Sequence, residues 1–148
     1  MKNIFLENLK VYMGKHNMLW SVERQTIAEK VSASNNHFTA DNLYIDLKQS
    51  GKDISRATVY RTLEILEKSG LVSKIQLKSG KHLYENIIGY SHHDHMICEK
   101  CGKIIEFYSE EIEKIQKKIC TDNNFKMTGH TMRICGICSE CQKDEERK

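Results

Sequence analysis

Proline is missing from all 148 residues, so joints between elements must be sought at glycines and polar clusters. No apolar run reaches the roughly 20 residues that span a bilayer. A content of 29% charged and 39% hydrophobic residues describes a soluble globular chain with no membrane partner. No apolar leader follows Met1, which leads us to expect a cytoplasmic protein with reduced thiols. Internal repeats and low-complexity segments are also lacking. The net charge of +3 has no strong sign overall, but its distribution is uneven. Through Asn86 there are 13 Lys/Arg against 9 Asp/Glu, and from Ile87 onward 10 against 11. A polyanion, if one binds, belongs on the first half. The length suits one ordinary domain or two small ones, each marginal without a metal staple or a partner copy.

Two Cys-x-x-Cys pairs stand out: Cys98-Glu99-Lys100-Cys101 and Cys138-Ser139-Glu140-Cys141. Each turn offers two thiolates, and four thiolates complete a tetrahedral zinc shell. A thioredoxin-type redox motif is the competing reading, but it wants one pair opening a helix within a βαβ pattern. Disulfides compete as well, and a reducing compartment disfavours them. Cys120 and Cys135 fit neither pair and rank as buried or spare thiols, although Cys135 begins Cys135-Gly136-Ile137-Cys138 and is placed to compete for the metal.

Ile4, Leu6, Leu9 and Met13 recur at helical spacing and predict a short first helix. Ser21 caps a second carrying Val22, Ile27, Ala28 and Val31; Thr39 opens a third with Leu43, Tyr44 and Leu47. Ser55 caps a fourth, whose apolar face is Val59, Leu63 and Leu66, with a stop at Ser69-Gly70. Leu71 to Leu77, a turn at Lys78-Ser79-Gly80-Lys81, and Leu83-Tyr84-Glu85 read as a hairpin. Helices followed by a hairpin are a winged helix-turn-helix pattern, in which one helix fills a major groove. The outward face of the fourth helix carries Arg56, Thr58, Tyr60 and Arg61, which offer forks to guanine or phosphate and a ring to a thymine methyl. Ser55 joins them at the helix start, and an ordinary solvated helix face is the alternative.

The expected division is a DNA-binding domain at 1–87, a hinge at 88–91, a metal-binding domain at 92–141, to which the resemblance described below adds dimerisation, and a polar, frayed tail at 142–148. Within the third segment, His92 to Cys98, Lys103 to Phe107 and Phe125 to Cys135 read as strands, and Glu110 to Cys120 as a helix. A strand points alternate side chains to opposite faces. His93 and His95 then share one face, and His92 and Asp94 the other. Two nitrogen- and oxygen-rich sites back to back suit ferrous iron, manganese, cobalt or a second zinc. A solvated polar strand end is the alternative.

The Ala57-Thr58-Val59-Tyr60-Arg61 helix, the block from His92 to Phe107, Thr128-Gly129-His130 and the Cys138/Cys141 pair together resemble the ferric uptake regulator family. The likeness runs from about His37 to Cys141. It implies an α+β fold, a winged helix-turn-helix followed by a small α/β dimerisation domain stapled by zinc. It also implies a homodimeric repressor, with a tetramer on double-stranded operator DNA as the alternative assembly, that binds a palindrome when loaded with metal.

Carried over, the pattern assigns one structural zinc per subunit to Cys98, Cys101, Cys138 and Cys141. A regulatory interdomain site falls on His37, Glu85, His93, His95 and Glu106, and a further site in the dimerisation domain on His92, Asp94, Glu113 and His130. Ferrous iron is the implied regulator, with Mn(II), Co(II) or Zn(II) as substitutes. Leu19 stands where the family often has a minor-groove lysine, and Lys15 is a candidate replacement. Arg56 and Cys135 are unusual occupants. Peroxide sensors of the family tend to have Asp where this chain has Glu85 and Glu106, and Asn at Arg61, so the iron type is favoured over the peroxide type; zinc- and manganese-responsive regulators share most of these ligands and stand as alternatives. No enzyme is expected: a hydrolase built on His92, His93, Asp94 and His95 lacks a placed general base and substrate pocket.

Overall fold

The computed structural model describes residues 2–147, in two compact units, Met1–Tyr90 and Ser91–Lys148. The first opens with four helices: α1 (Lys2–Lys15), α2 (Val22–Ser32), α3 (Ala40–Gln49) and α4 (Arg56–Lys68). Three have hydroxyl caps. Ser21 Oγ accepts from the Arg24 amide at 3.2 Å, Thr39 Oγ1 from Asn42 at 3.0 Å, and Ser55 Oγ from Thr58 at 3.1 Å. Each satisfies an amide that the first helical turn leaves without a partner. At the other end of α4, Gly70 takes the left-handed conformation (φ 72°), and the Leu71 amide donates back to the Leu66 carbonyl at 3.0 Å. That closure turns the chain out of the helix and buries Leu71.

Leu9, Ile27, Val31, Val59, Leu63 and Leu66 are fully buried and form the centre of the first unit. The inward line of α1 is Phe5, Leu9 and Met13, at successive steps of four. Ile4, expected on that face, is 52% exposed, because the i, i+4 line fixes the buried stripe and Ile4 lies a quarter-turn off it. The hairpin is β1 (Val72–Gln76) against β2 (His82–Asn86), antiparallel with Ser73 opposite Glu85. Phe38 adds a rung: its amide and carbonyl exchange hydrogen bonds with Tyr84 at 2.9 and 2.8 Å. At the end of β2, Asn86 donates to the Ser32 carbonyl and accepts from the Ile88 amide, and beyond it Tyr90 hydrogen-bonds Asn35, which binds this stretch to the first unit.

The second unit holds β3 (Asp94–Cys98), β4 (Ile104–Phe107), α5 (Glu110–Asp122), β5 (Arg133–Gly136) and α6 (Ser139–Glu146). Its sheet has the order β4-β3-β5, with β3 antiparallel to β4 and parallel to β5. Three boundaries differ from those read in the sequence. The first strand begins at Asp94 rather than His92, because the ladder's first partner is Phe107. The strand expected over Phe125 to Cys135 pairs only at Arg133–Gly136, the stretch that has β3 residues beside it. The stretch expected to fray after Cys141 is instead α6, a run without Gly or Pro in which the Gln142 amide donates to the Cys138 carbonyl at 3.0 Å. Among the described residues no helix is long and apolar enough to cross a membrane.

Candidate metal centres and nucleic-acid interface

The turn after β3 presents Cys98 and Cys101, and the turn opening α6 presents Cys138 and Cys141. The parallel β3–β5 pairing sets Cys98 beside Gly136, which brings the second turn against the first. All four Sγ atoms lie within 4.8 Å of one another, and Cys101 Sγ is 3.7 Å from Cys138 Sγ. Zinc–sulfur bonds of about 2.3 Å in a tetrahedron require sulfur–sulfur edges of about 3.8 Å, so the spacing fits zinc. The Cys138 amide donates to Cys98 Sγ at 3.3 Å. Amides of Cys101, Cys138 and Lys100 aimed at that sulfur lower its pKa to about 6. The hydrogen bond with Cys138, then burial, pushes the Cys141 thiol up to about 12. Four thiolates cannot crowd together unless a cation replaces their protons.

His92, Asp94, Glu113 and His130 form another group, again with ligand atoms within 4.8 Å of one another. His92 Nε2 lies 3.5 Å from Asp94 Oδ1 and 3.3 Å from Glu113 Oε1; His130 Nε2 lies 3.8 and 3.1 Å from the same two oxygens. A tetrahedron with metal–ligand bonds of about 2.1 Å has edges of about 3.4 Å, in the middle of this range. Glu113 Oε1 and His130 Nε2 are buried without a hydrogen-bond partner although they face each other. Orphaned polar atoms are costly, and a divalent cation would satisfy both. Ser109, whose Oγ accepts from Ile112, caps α5 and sets Glu113 one turn in, while His130 comes from the irregular stretch before β5.

The remaining candidate ligands occur in both units. In the first, the Phe38–Tyr84 rung carries His37 alongside β2, with His37 Nε2 2.6 Å from Glu85 Oε2. In the second, His95 stands opposite Glu106 in the β3–β4 ladder. The His93 and His95 rings meet edge-on at 4.9 Å, His93 Nε2 is 3.9 Å from Glu106 Oε1, and His93 Nδ1 lies 3.0 Å from the Ser91 carbonyl. The alternation expected of a strand therefore extends two residues ahead of the ladder.

On α4 the candidate DNA contacts divide. Arg61 is exposed. Ser55 and Thr58 are occupied with the cap and with each other, their hydroxyls 2.8 Å apart. Arg56 pairs with Asp41 of α3 and lies over the Tyr44 ring at 4.8 Å, and the Tyr60 hydroxyl donates to the same Asp41 Oδ1 at 3.2 Å. Burial, then that bond, raises the Tyr60 pKa. Lys15 is exposed on the last turn of α1. Asp41 escaped the reading of the sequence. It lies 15 and 19 residues before its two partners, a spacing with no local signature.

A winged helix-turn-helix followed by a sheet unit bearing thiolate and imidazole–carboxylate clusters defines the class of metal-responsive transcription regulators. The profile of the Ferric uptake regulator family matches residues 15–135, and the chain belongs to that family. The ferric uptake regulation protein of Campylobacter upsaliensis is 39% identical over 141 residues, covering 94% of this chain and 90% of that protein. The Helicobacter pylori ferric uptake regulator, whose structure is described as revealing three functional metal binding sites, matches with a TM-score of 0.81 and 32% identity over 96% of this chain and 94% of its own. The Pseudomonas aeruginosa ferric uptake regulator, solved with manganese, matches at 0.77 and 29% over 88% and 97%. The protein is accordingly a regulator of transcription and not an enzyme.

Proposed function

We propose that the chain is a homodimeric repressor that binds a palindromic operator when ferrous iron is held jointly by the two units. His37 and Glu85 would come from the first unit, and His93, His95 and Glu106 from the second. The observation that carries this reading is the presence, on each unit separately, of an incomplete nitrogen and oxygen donor set: the 2.6 Å His37–Glu85 pair on one, and the imidazole pair beside Glu106 on the other. When bound, the cation supplies a charge that favours the arrangement gathering both sets. A ligand shifts a two-state equilibrium only by its differential affinity for the two states, and donors split between units provide that difference. In a dimer the mutual pose of the units sets the spacing of the two α4 helices, and a palindrome matches only one spacing.

Cys98, Cys101, Cys138 and Cys141 would hold a structural zinc, and His92, Asp94, Glu113 and His130 a further ion. Three ligand groups equal the number described for the Helicobacter pylori regulator. Dimerisation is supported by α5, which buries no residue within the chain and leaves Ile115 and Ile119 exposed, with Phe125 and Ile134 also exposed in the same unit. Iron is supported by relatives named ferric uptake regulation proteins, whereas the Pseudomonas aeruginosa structure contains manganese. A gel-shift titration of the gene's own promoter with iron, manganese and zinc, alongside metal analysis of the purified protein, tests the reading. Tight binding at the lowest free iron is expected; binding indifferent to all three ions would overturn it.

A further inference from the structure

Asp41 opens α3, and the metal-dependent reading above makes no use of it. Its Oδ1 accepts from the Arg56 guanidinium and, at 3.2 Å, from the Tyr60 hydroxyl. Arg56 and Tyr60 stand four residues apart, on one face of α4. Arg56 is also seated 4.8 Å over the ring of Tyr44, which is three residues along α3 from Asp41 and packs against the core of the unit. The arginine is therefore held from two sides and the tyrosine from one. A guanidinium has five donors, so the bond to Asp41 leaves others for a duplex.

Stability does not account for this arrangement. The Arg56 and Asp41 side chains are 56% and 50% exposed, and ion pairs that open to water contribute little. Affinity does not account for it either, because a carboxylate on a surface that must meet phosphates repels every duplex alike. Discrimination does account for it. An untethered arginine settles on whichever phosphate is nearest, a contact that carries no sequence information. A tethered one presents its fork in one orientation, with side-chain entropy already lost before binding. We propose that Asp41 is a positioning residue for sequence discrimination: it fixes Arg56 and Tyr60 in the pose that meets base edges, while its charge weakens binding to duplexes that offer phosphate alone. The inference rests on the operator-binding reading.

The test uses the full-length, metal-loaded protein and two probes: a duplex selected by the wild type from a random pool, and a scrambled duplex of the same composition. Fluorescence anisotropy gives both affinities for the wild type, Asp41→Asn, Asp41→Glu, Tyr60→Phe, and Asp41→Asn combined with Tyr60→Phe. In Asp41→Asn the ratio of the two affinities should fall on the order of tenfold, with the scrambled duplex bound more tightly than by the wild type. Asp41→Glu keeps the charge and changes the reach, so it should lose affinity for the selected duplex while binding the scrambled one as weakly as the wild type does. The combined variant should lose less than the sum of its parts, as residues acting together do. Equal shifts on both duplexes, or additive losses, would show Asp41 to be a remote charge and overturn the proposal. If the wild type selects no duplex at all, the operator-binding reading fails and takes this inference with it.

Discussion

Cys98 accepts a hydrogen bond from the Cys138 amide across 40 positions of chain, so its sulfur joins the two turns of the second unit even before any ion is considered. Cys98→Ser should abolish zinc retention and lower the melting temperature of the second unit, because ligand loss is also loss of folding free energy. Metal analysis and a thermal melt followed by circular dichroism would check it, and a variant that keeps its zinc would remove the staple. Arg61, exposed on α4, belongs to the opposite category, a residue whose loss the fold should not register. Arg61→Ala should weaken operator binding by about 1–3 kcal/mol if it makes a bidentate base contact, with an unchanged melt. An operator affinity equal to the wild type would reassign it to the solvated face.

At the level of elements, the cap on α4 links stability to reading. Ser55→Ala removes the acceptor for the Thr58 amide and should cost about 1 kcal/mol in urea unfolding, with a matching loss of duplex affinity as the first turn loosens. If stability holds while affinity falls, the hydroxyl acts on DNA directly and not as a cap. Replacing Ile115 and Ile119 of α5 by Asp should shift sedimentation from dimer to monomer; a dimer that survives would place the contact elsewhere. The elements themselves were legible where local chemistry decides them. Ser21, Thr39 and Ser55 cap helices where a hydroxyl precedes an apolar period, and Gly70 stops α4 where its left-handed φ is needed. They were not legible where a distant partner decides: residues 125–132 carry no strand because the β3–β5 ladder starts with Arg133 beside His95. The helix that opens at Ser139 and runs through Cys141 to Glu146 was missed for another reason, its wholly polar composition after Cys141. The same holds for the site. Cys-x-x-Cys spacing and the alternation of His92 to His95 can be read locally, whereas the joining of Asp41 to Arg56 depends on how α3 crosses α4.

For the molecule as a whole, the proposed joint holding of a regulatory ion would let one imidazole govern DNA binding without supporting the fold. His93→Ala should leave the melting curve and zinc content intact and abolish the response of duplex affinity to added iron, seen by gel shift. Full metal-dependent binding by that variant would remove His93 from the regulatory set.

The parallel alignment of β3 with β5, with Cys98 beside Gly136, has a consequence for biosynthesis. Two of the four sulfurs leave the ribosome well before the other two, and the central strand waits with one edge open until the segment that covers it has been translated. A nascent chain halted before Arg133 would carry one of the two thiol pairs and a bare strand edge, a state suited to chaperone capture and ill-suited to holding zinc.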